Sequence, residues 1–191
     1  MSTHTATLSG PRGLAMDDAM EDAMDDADGT VWDAQPPSAI VDFILRRFHE
    51  PLRRDLPVLR DLARLVEAQS KLDPLCPRGL AGHLEQILDS VESHLAKEEK
   101  ILFPLILAGR GAMAFMPIKV MMAEHEDHLA NLQRTRALTH DFALPASAST
   151  AWRRLYLDLH RLEAELNQHI DLENDVLFIR VMGGEGTPSI R

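Results

Sequence analysis

The sequence predicts an all-α fold, an antiparallel four-helix bundle, and three observations predict it. From Ser38 to Met182 the apolar residues recur at helical spacing, and no segment alternates convincingly with period two. Breaks at Asp73-Pro74, at Gly109 and Gly111, and at Gly183-Gly184 punctuate that stretch. The pieces between the breaks are long and amphipathic with short connections, and such helices bury their apolar stripes most simply side by side.

Residues 1–37 form an acidic, Met/Asp-rich tail, in which Met16-Asp-Asp-Ala, Met20-Glu-Asp-Ala and Met24-Asp-Asp-Ala repeat a four-residue unit. Too little apolar surface is present to offset the entropy of ordering, so the tail is expected to be disordered or only partly helical. The bundle domain is expected over 38–183. Helix 1 starts with Ser38 as N-cap and carries Ile40, Phe43, Ile44, Phe48 and Leu52 on one side. Pro51 and Pro57 lie inside it and predict kinks, because each removes a backbone donor; it should end near Leu72. Helix 2 is predicted from about Gly79 to Ala108. Helix 3 is predicted from Pro117, suited to a first turn, to about His140, and helix 4 from about Ser149 to Met182. Residues 184–191 are a short C-terminal tail.

Composition narrows the function classes. A hydrophobic share of 45% and a charged share of 26% in 191 residues describe an ordinary globular chain with one core. No run approaches the ~20 apolar residues of a membrane span, and no basic-then-apolar leader opens the chain. The net charge of −10 argues against nucleic acid as a partner, although residues 1–37 supply most of it, with eight acidic groups against Arg12 alone. Cys76 is the single cysteine, which rules out an internal disulfide and a thiolate-clustered metal site. A cytoplasmic protein is the simplest reading.

The chemistry lies in an internal repeat. His94-Leu-Ala-Lys-Glu98-Glu-Lys-Ile-Leu-Phe103 aligns without gaps onto His169-Ile-Asp-Leu-Glu173-Asn-Asp-Val-Leu-Phe178 at an offset of 75 residues. Upstream, Phe48-His49-Glu50 corresponds to Glu124-His125-Glu126 at an offset of 76. Each helix thus offers one histidine, and helices 2 and 4 add a glutamate. In His-x-x-x-Glu the two side chains stand one above the other on one face. That face is apolar: Ile87, Val91, Ile101 and Leu105 share it with His94 and Glu98, and Leu162, Leu166 and Val176 share it with His169 and Glu173. A carboxylate directed into a core costs several kcal/mol unless it is paired or protonated, and metal coordination relieves that cost. Two inward carboxylates can bridge two cations while four imidazoles cap them in pairs. Nitrogen and oxygen donors without thiolate suit iron, manganese or zinc, and carboxylate-bridged pairs in helical bundles favour iron. So few protein ligands leave positions for water, an oxo bridge or a diatomic molecule.

The remaining histidines are weaker candidates. His128, one turn beyond His125, is the best reserve ligand or hydrogen-bond donor to a ligand. His83 faces inward but lies about 16 Å along the axis from His94, and reads as an ordinary or entrance-lining residue. His160 points to the face opposite His169, His140 sits at a helix end and His4 lies in the tail. Glu50, Glu99 and Glu126 read as helix surface; Glu124 alone suggests a polar access path.

Arg-Arg-Phe-His49, His94-x-x-Lys-Glu98-Glu-x-Ile-Leu-Phe-Pro104, Glu124-His125-Glu126 and His169-x-x-Leu-Glu173-Asn-x-Val-Leu-Phe178 together resemble the hemerythrin-like (HHE) di-iron proteins. The resemblance is greatest to the Repair of Iron Centres family, of YtfE, ScdA and NorA types, and runs from about Ile40 to Met182. It implies a hemerythrin-like bundle holding two non-haem iron ions, oxo- or hydroxo-bridged when oxidised. It places His49 and His169 on one iron, His94 and His125 on the other, with Glu98 and Glu173 bridging. It further implies a role in nitrosative and oxidative stress: binding or reducing nitric oxide as an oxidoreductase, or donating iron to damaged iron–sulfur proteins. An oxygen or iron sensor or store without turnover is the alternative. Many family members begin with a small domain carrying an adjacent cysteine pair, where this chain has its acidic methionine tail. Activities that need those cysteines are not implied here.

Overall fold

Three π-helical turns interrupt the long helices, and they decide which residues face inward. The computed structural model describes Trp32 and residues 35–183; the methionine repeat, His4 and residues 184–191 lie outside the described residues. Helix α1 spans 37–69 as Pro37–Ile44, a π turn at Leu45–His49, and Glu50–Gln69. Helix α2 spans 80–107 as Leu80–Lys97, a π turn at Glu98–Leu102, and Phe103–Leu107. Helix α3 is Gly111–Leu138. Helix α4 spans 150–182 as Thr150–Asp171, a π turn at Leu172–Leu177, and Phe178–Met182. α1 packs against α2 and α4, and α3 against the same two, the arrangement of an antiparallel bundle. All regular structure among the described residues is helical.

Local chemistry accounts for most boundaries. Gly79 enters α2 at φ 87°, a backbone region that favours glycine. Gly109, at φ 67°, closes α2 while the Arg110 N–H reaches back to the Leu105 carbonyl, a helix-ending turn that glycine permits. Ser149 caps α4 by accepting from the Trp152 N–H at 3.2 Å.

Three expectations need correction. Ser38 is not the N-cap of α1: the helix starts at Pro37, whose preset φ suits the first turn, and no side chain caps it. α1 ends at Gln69 rather than near Leu72, because the chain leaves helical geometry at Ser70 (φ −114°, ψ 23°). Pro117 does not open α3 but lies inside it, since Gly111 starts the helix directly after the α2 turn. The carbonyl that Pro117 leaves without a helical donor belongs to Met113, whose residue is 61% exposed, so water can satisfy it.

Each π turn closes with an N–H bonded five residues back: Glu50 to Leu45, Phe103 to Glu98 and Phe178 to Glu173. Pro51 and Pro104 follow two of these turns by two residues, so the widened turns coincide with donors that proline has removed. The extra residue rotates the remainder of the helix by about 100°. Leu102, Phe103 and Ile106, not Ile101 and Leu105, are therefore the buried residues after Glu98 in α2; Ile101 is 52% exposed. In α4, Leu177 at 0% takes the inward position expected of Val176.

The core divides into two apolar clusters. One is built on Leu56, Leu84, Leu95, Trp152, Leu155 and Leu159, the other on Ile40, Ile44, Phe103, Ile118, Leu177 and Phe178. Between them lies a layer of buried polar side chains.

Candidate metal centre

That layer holds all six predicted site residues. His49, His94, Glu98, His125, His169 and Glu173 are each at most 2% exposed. His49 closes the π turn of α1, Glu98 opens that of α2, and Glu173 lies in that of α4. The π turns thus aim three of the six side chains, a frequent use of such turns at functional sites.

Two overlapping groups of four side chains are each arranged so that they could hold a cation. One ligand atom each from His49, Glu98, His169 and Glu173 lie within 4.8 Å of one another, and so do those of His94, Glu98, His125 and Glu173. The imidazoles pair across helices, His49 Nε2 lying 3.3 Å from His169 Nε2 and His94 Nε2 lying 3.1 Å from His125 Nε2. Each carboxylate serves both pairs. Glu98 sets Oε2 at 3.4 Å from His49 and Oε1 at 3.4 Å from His94. Glu173 sets Oε1 at 3.3 Å from His169 and Oε2 at 3.1 Å from His125.

Imidazole tautomers follow from the outer contacts. His49 Nδ1 lies 2.9 Å from Glu99 Oε1, and His94 Nδ1 lies 3.0 Å from Glu124 Oε2. A carboxylate can only accept, so both rings donate from Nδ1 and turn a bare Nε2 lone pair inward. His125 Nδ1 likewise donates to Asn174 Oδ1 at 2.9 Å. Glu99 is anchored in turn by Arg53, whose Nη1 donates at 2.6 Å, and Glu124 by Lys97. These cations hold Glu99 and Glu124 below the usual carboxylate range even though partial burial pushes the other way.

A cation fits this donor set. All four oxygens of Glu98 and Glu173 are buried without a hydrogen-bond partner among the described residues, a cost of several kcal/mol that a bound cation would remove. Without one, burial and the neighbouring Glu173 charge drive the Glu98 carboxyl well above its ordinary range. Burial acts the same way on Glu173, but His169 and His125 outweigh it and hold that group well below.

Burial lowers the His49 pKa to about 4, helped by His169, the His94 pKa to about 3 and the His128 pKa to about 4. A histidine with a depressed folded pKa contributes stability that is complete above its ordinary value of 6.5 and lost as pH falls toward the folded value. Glu98, with a raised pKa, has the opposite sign: its contribution fades as pH rises above 4.5. His83, His49, His94 and His128, all lowered by burial, outnumber Glu98, so the unfolded chain binds more protons than the folded one between pH ~4.5 and ~6.5. Denaturant titrations of metal-free protein are therefore expected to show stability falling on acidification through that window; a flat profile would contradict the buried, neutral histidines.

The other sequence expectations divide. His128 is buried beside His94, with ring centroids 4.8 Å apart and both nitrogens without a hydrogen-bond partner, yet it lies outside both four-residue groups. His83 is a buried core residue whose Nε2 lies 3.0 Å from the Asn131 carbonyl oxygen. His160 is exposed, as expected. Glu99 is not plain helix surface, because it holds His49. Arg53, Asn174 and Lys97 join the site without having been expected from the sequence; the i, i+4 step from His49 to Arg53 is the legible signal for the first.

The fold and the site define a class. The chain belongs to the hemerythrin family: the family model described as "Hemerythrin HHE cation binding domain" matches residues 41–181. Among its relatives is the "Iron-sulfur cluster repair protein YtfE" of Musicola paradisiaca, 42% identical over 154 residues, which cover 81% of this chain and 69% of the relative. The proteins of the same name from Yersinia pseudotuberculosis and Yersinia pestis are 41% identical over 154 residues, covering 81% of this chain and 70% of each relative. No described helix is long and apolar enough to cross a membrane.

Proposed function

We propose that the chain is a non-haem di-iron protein of the nitrosative and oxidative stress response that binds nitric oxide and donates iron for iron–sulfur cluster repair. The observation that carries the reading is the pair of four-residue donor groups sharing Glu98 and Glu173. His49 and His169 would hold one ion, His94 and His125 the other, and the two glutamates would bridge them. When bound, the pair would offer open coordination positions and one electron per ion, the two electrons that, with two protons, convert two nitric oxide molecules to nitrous oxide and water. The chain's own residues orient that site: Glu99, Glu124 and Asn174 fix three imidazoles, and the buried ring of Phe103 stacks on that of His49. The names of the curated relatives support the repair role.

Anaerobic addition of nitric oxide to the reduced, iron-loaded protein is expected to change its visible absorption in proportion to iron content, with nitrous oxide measurable in the headspace if turnover occurs. An unchanged spectrum would sink the reading. One observation favours a second reading, an oxygen or iron sensor or store: His128, buried beside His94 and without a hydrogen-bond partner among the described residues, would be free to donate to a diatomic ligand. Reversible oxygenation lost in His128→Ala would support it.

A further inference from the structure

The internal repeat predicts equal surroundings for the two cation positions, and the structure shows that they are unequal. Two outer contacts obey the repeat. Glu99, the residue after Glu98, holds His49 of α1, and Asn174, the residue after Glu173, holds His125 of α3. The other pair breaks it. Glu124, the residue before His125, holds His94 Nδ1 at 3.0 Å. The corresponding residue before His49 is Phe48, which can only stack: its ring lies 5.2 Å from that of His169, with 22° between the planes. His169 Nδ1 is left buried with no hydrogen-bond partner among the described residues.

A histidine whose Nδ1–H is not accepted is a poorer donor at Nε2 and is freer to rotate away from its ligand; loss of such a partner typically costs 10–100-fold in metal affinity. The His94/His125 position has both imidazoles supported, whereas the His49/His169 position has one. We infer that Phe48 makes the His49/His169 position the weaker one, so that its cation leaves first, while the His94/His125 cation stays. The inference rests on the two-cation reading above and adds to it the position from which iron would be donated.

The test uses the full chain loaded with ferrous iron without oxygen and mixed with a chromophoric ferrous chelator. Release is expected in two phases of equal amplitude, their rates separated by about 10–100-fold. Phe48→Glu, which restores the carboxylate that the repeat supplies at Glu124, is expected to slow the fast phase toward the slow one. Because Phe48 is buried and that variant can misfold, Asn174→Leu is the second arm: stripping His125 of its partner should speed the slow phase toward the fast one, and Asn174→Asp should keep it slow. Release in one phase from a protein holding two ions, or two phases that neither substitution moves, would overturn the inference and leave the two-cation reading standing. Uptake of fewer than two ions would overturn both.

Discussion

Glu98→Ala and Glu173→Ala, made singly, are each expected to cut bound iron from about two ions per chain to fewer than one, the largest loss any single substitution should produce. The reason is that each glutamate serves both positions. Glu98 faces His49 with one oxygen and His94 with the other, and Glu173 faces His169 and His125 in the same way. In the proposed two-cation site, removing one histidine would strip one ligand from one position, whereas removing one glutamate would strip a ligand from each and the bridge between them. His49→Ala is therefore expected to leave about one ion behind. Plasma emission analysis of the three variants beside the parent protein checks this. Equal losses for the histidine and glutamate variants would argue against shared carboxylates.

The second large effect concerns stability and has an inverted sign in one variant. Stripping both cations should lower the thermal midpoint by about 16–32 °C, taking about 4 kcal/mol for each cation present at 1,000 times its dissociation constant and 2–4 °C per kcal/mol for a domain of this size. The bundle should stay helical, because its two apolar clusters do not depend on the site. Glu98→Gln should destabilise the loaded protein, which loses a bridging ligand. In the metal-free protein, where burial keeps the Glu98 carboxyl protonated, the unfolded chain gains by ionising it near neutral pH; the amide cannot ionise, so the same change should raise the midpoint. Calorimetry on both proteins with and without metal checks the pair of signs. A midpoint indifferent to metal would mean that the buried polar layer is stabilised in some other way.

Much of the site is legible in the amino-acid sequence. The duplicated His-x-x-x-Glu unit, each copy preceded by a matching histidine, marks all six site residues, because ligands on one helix face must be one turn apart. The local widening of the helices is not legible. A strict 3.6-residue period puts Ile101 and Leu105 inward, and it fails after Glu98 because the π turn adds a residue there. The same shift exchanges Val176 for Leu177. Glu99 departs from its expected surface role for a related reason: one position from Glu98, it should point away from the core, and only the packing of α1 brings His49 and Arg53 within its reach. Pro117 misleads because a proline suits a first turn, whereas here an exposed carbonyl makes an interior position tolerable.

The repeat also carries a difference that gains meaning only in three dimensions. Phe48 and Glu124 stand at equivalent places in the two halves, and in the sequence they are merely a mismatch. In the bundle each sits beside the histidine of a neighbouring helix, so one mismatch leaves His169 without the support that His94 receives.

The two-cation centre is tested most directly by metal quantitation combined with Mössbauer spectroscopy on full-length protein produced with iron-57 and purified without oxygen. About two iron ions per chain is the expected result, in high-spin ferrous sites with nitrogen and oxygen ligands. One iron per chain, or iron near zero with unchanged helicity in the parent protein and in His94→Ala and Glu173→Ala, would contradict it.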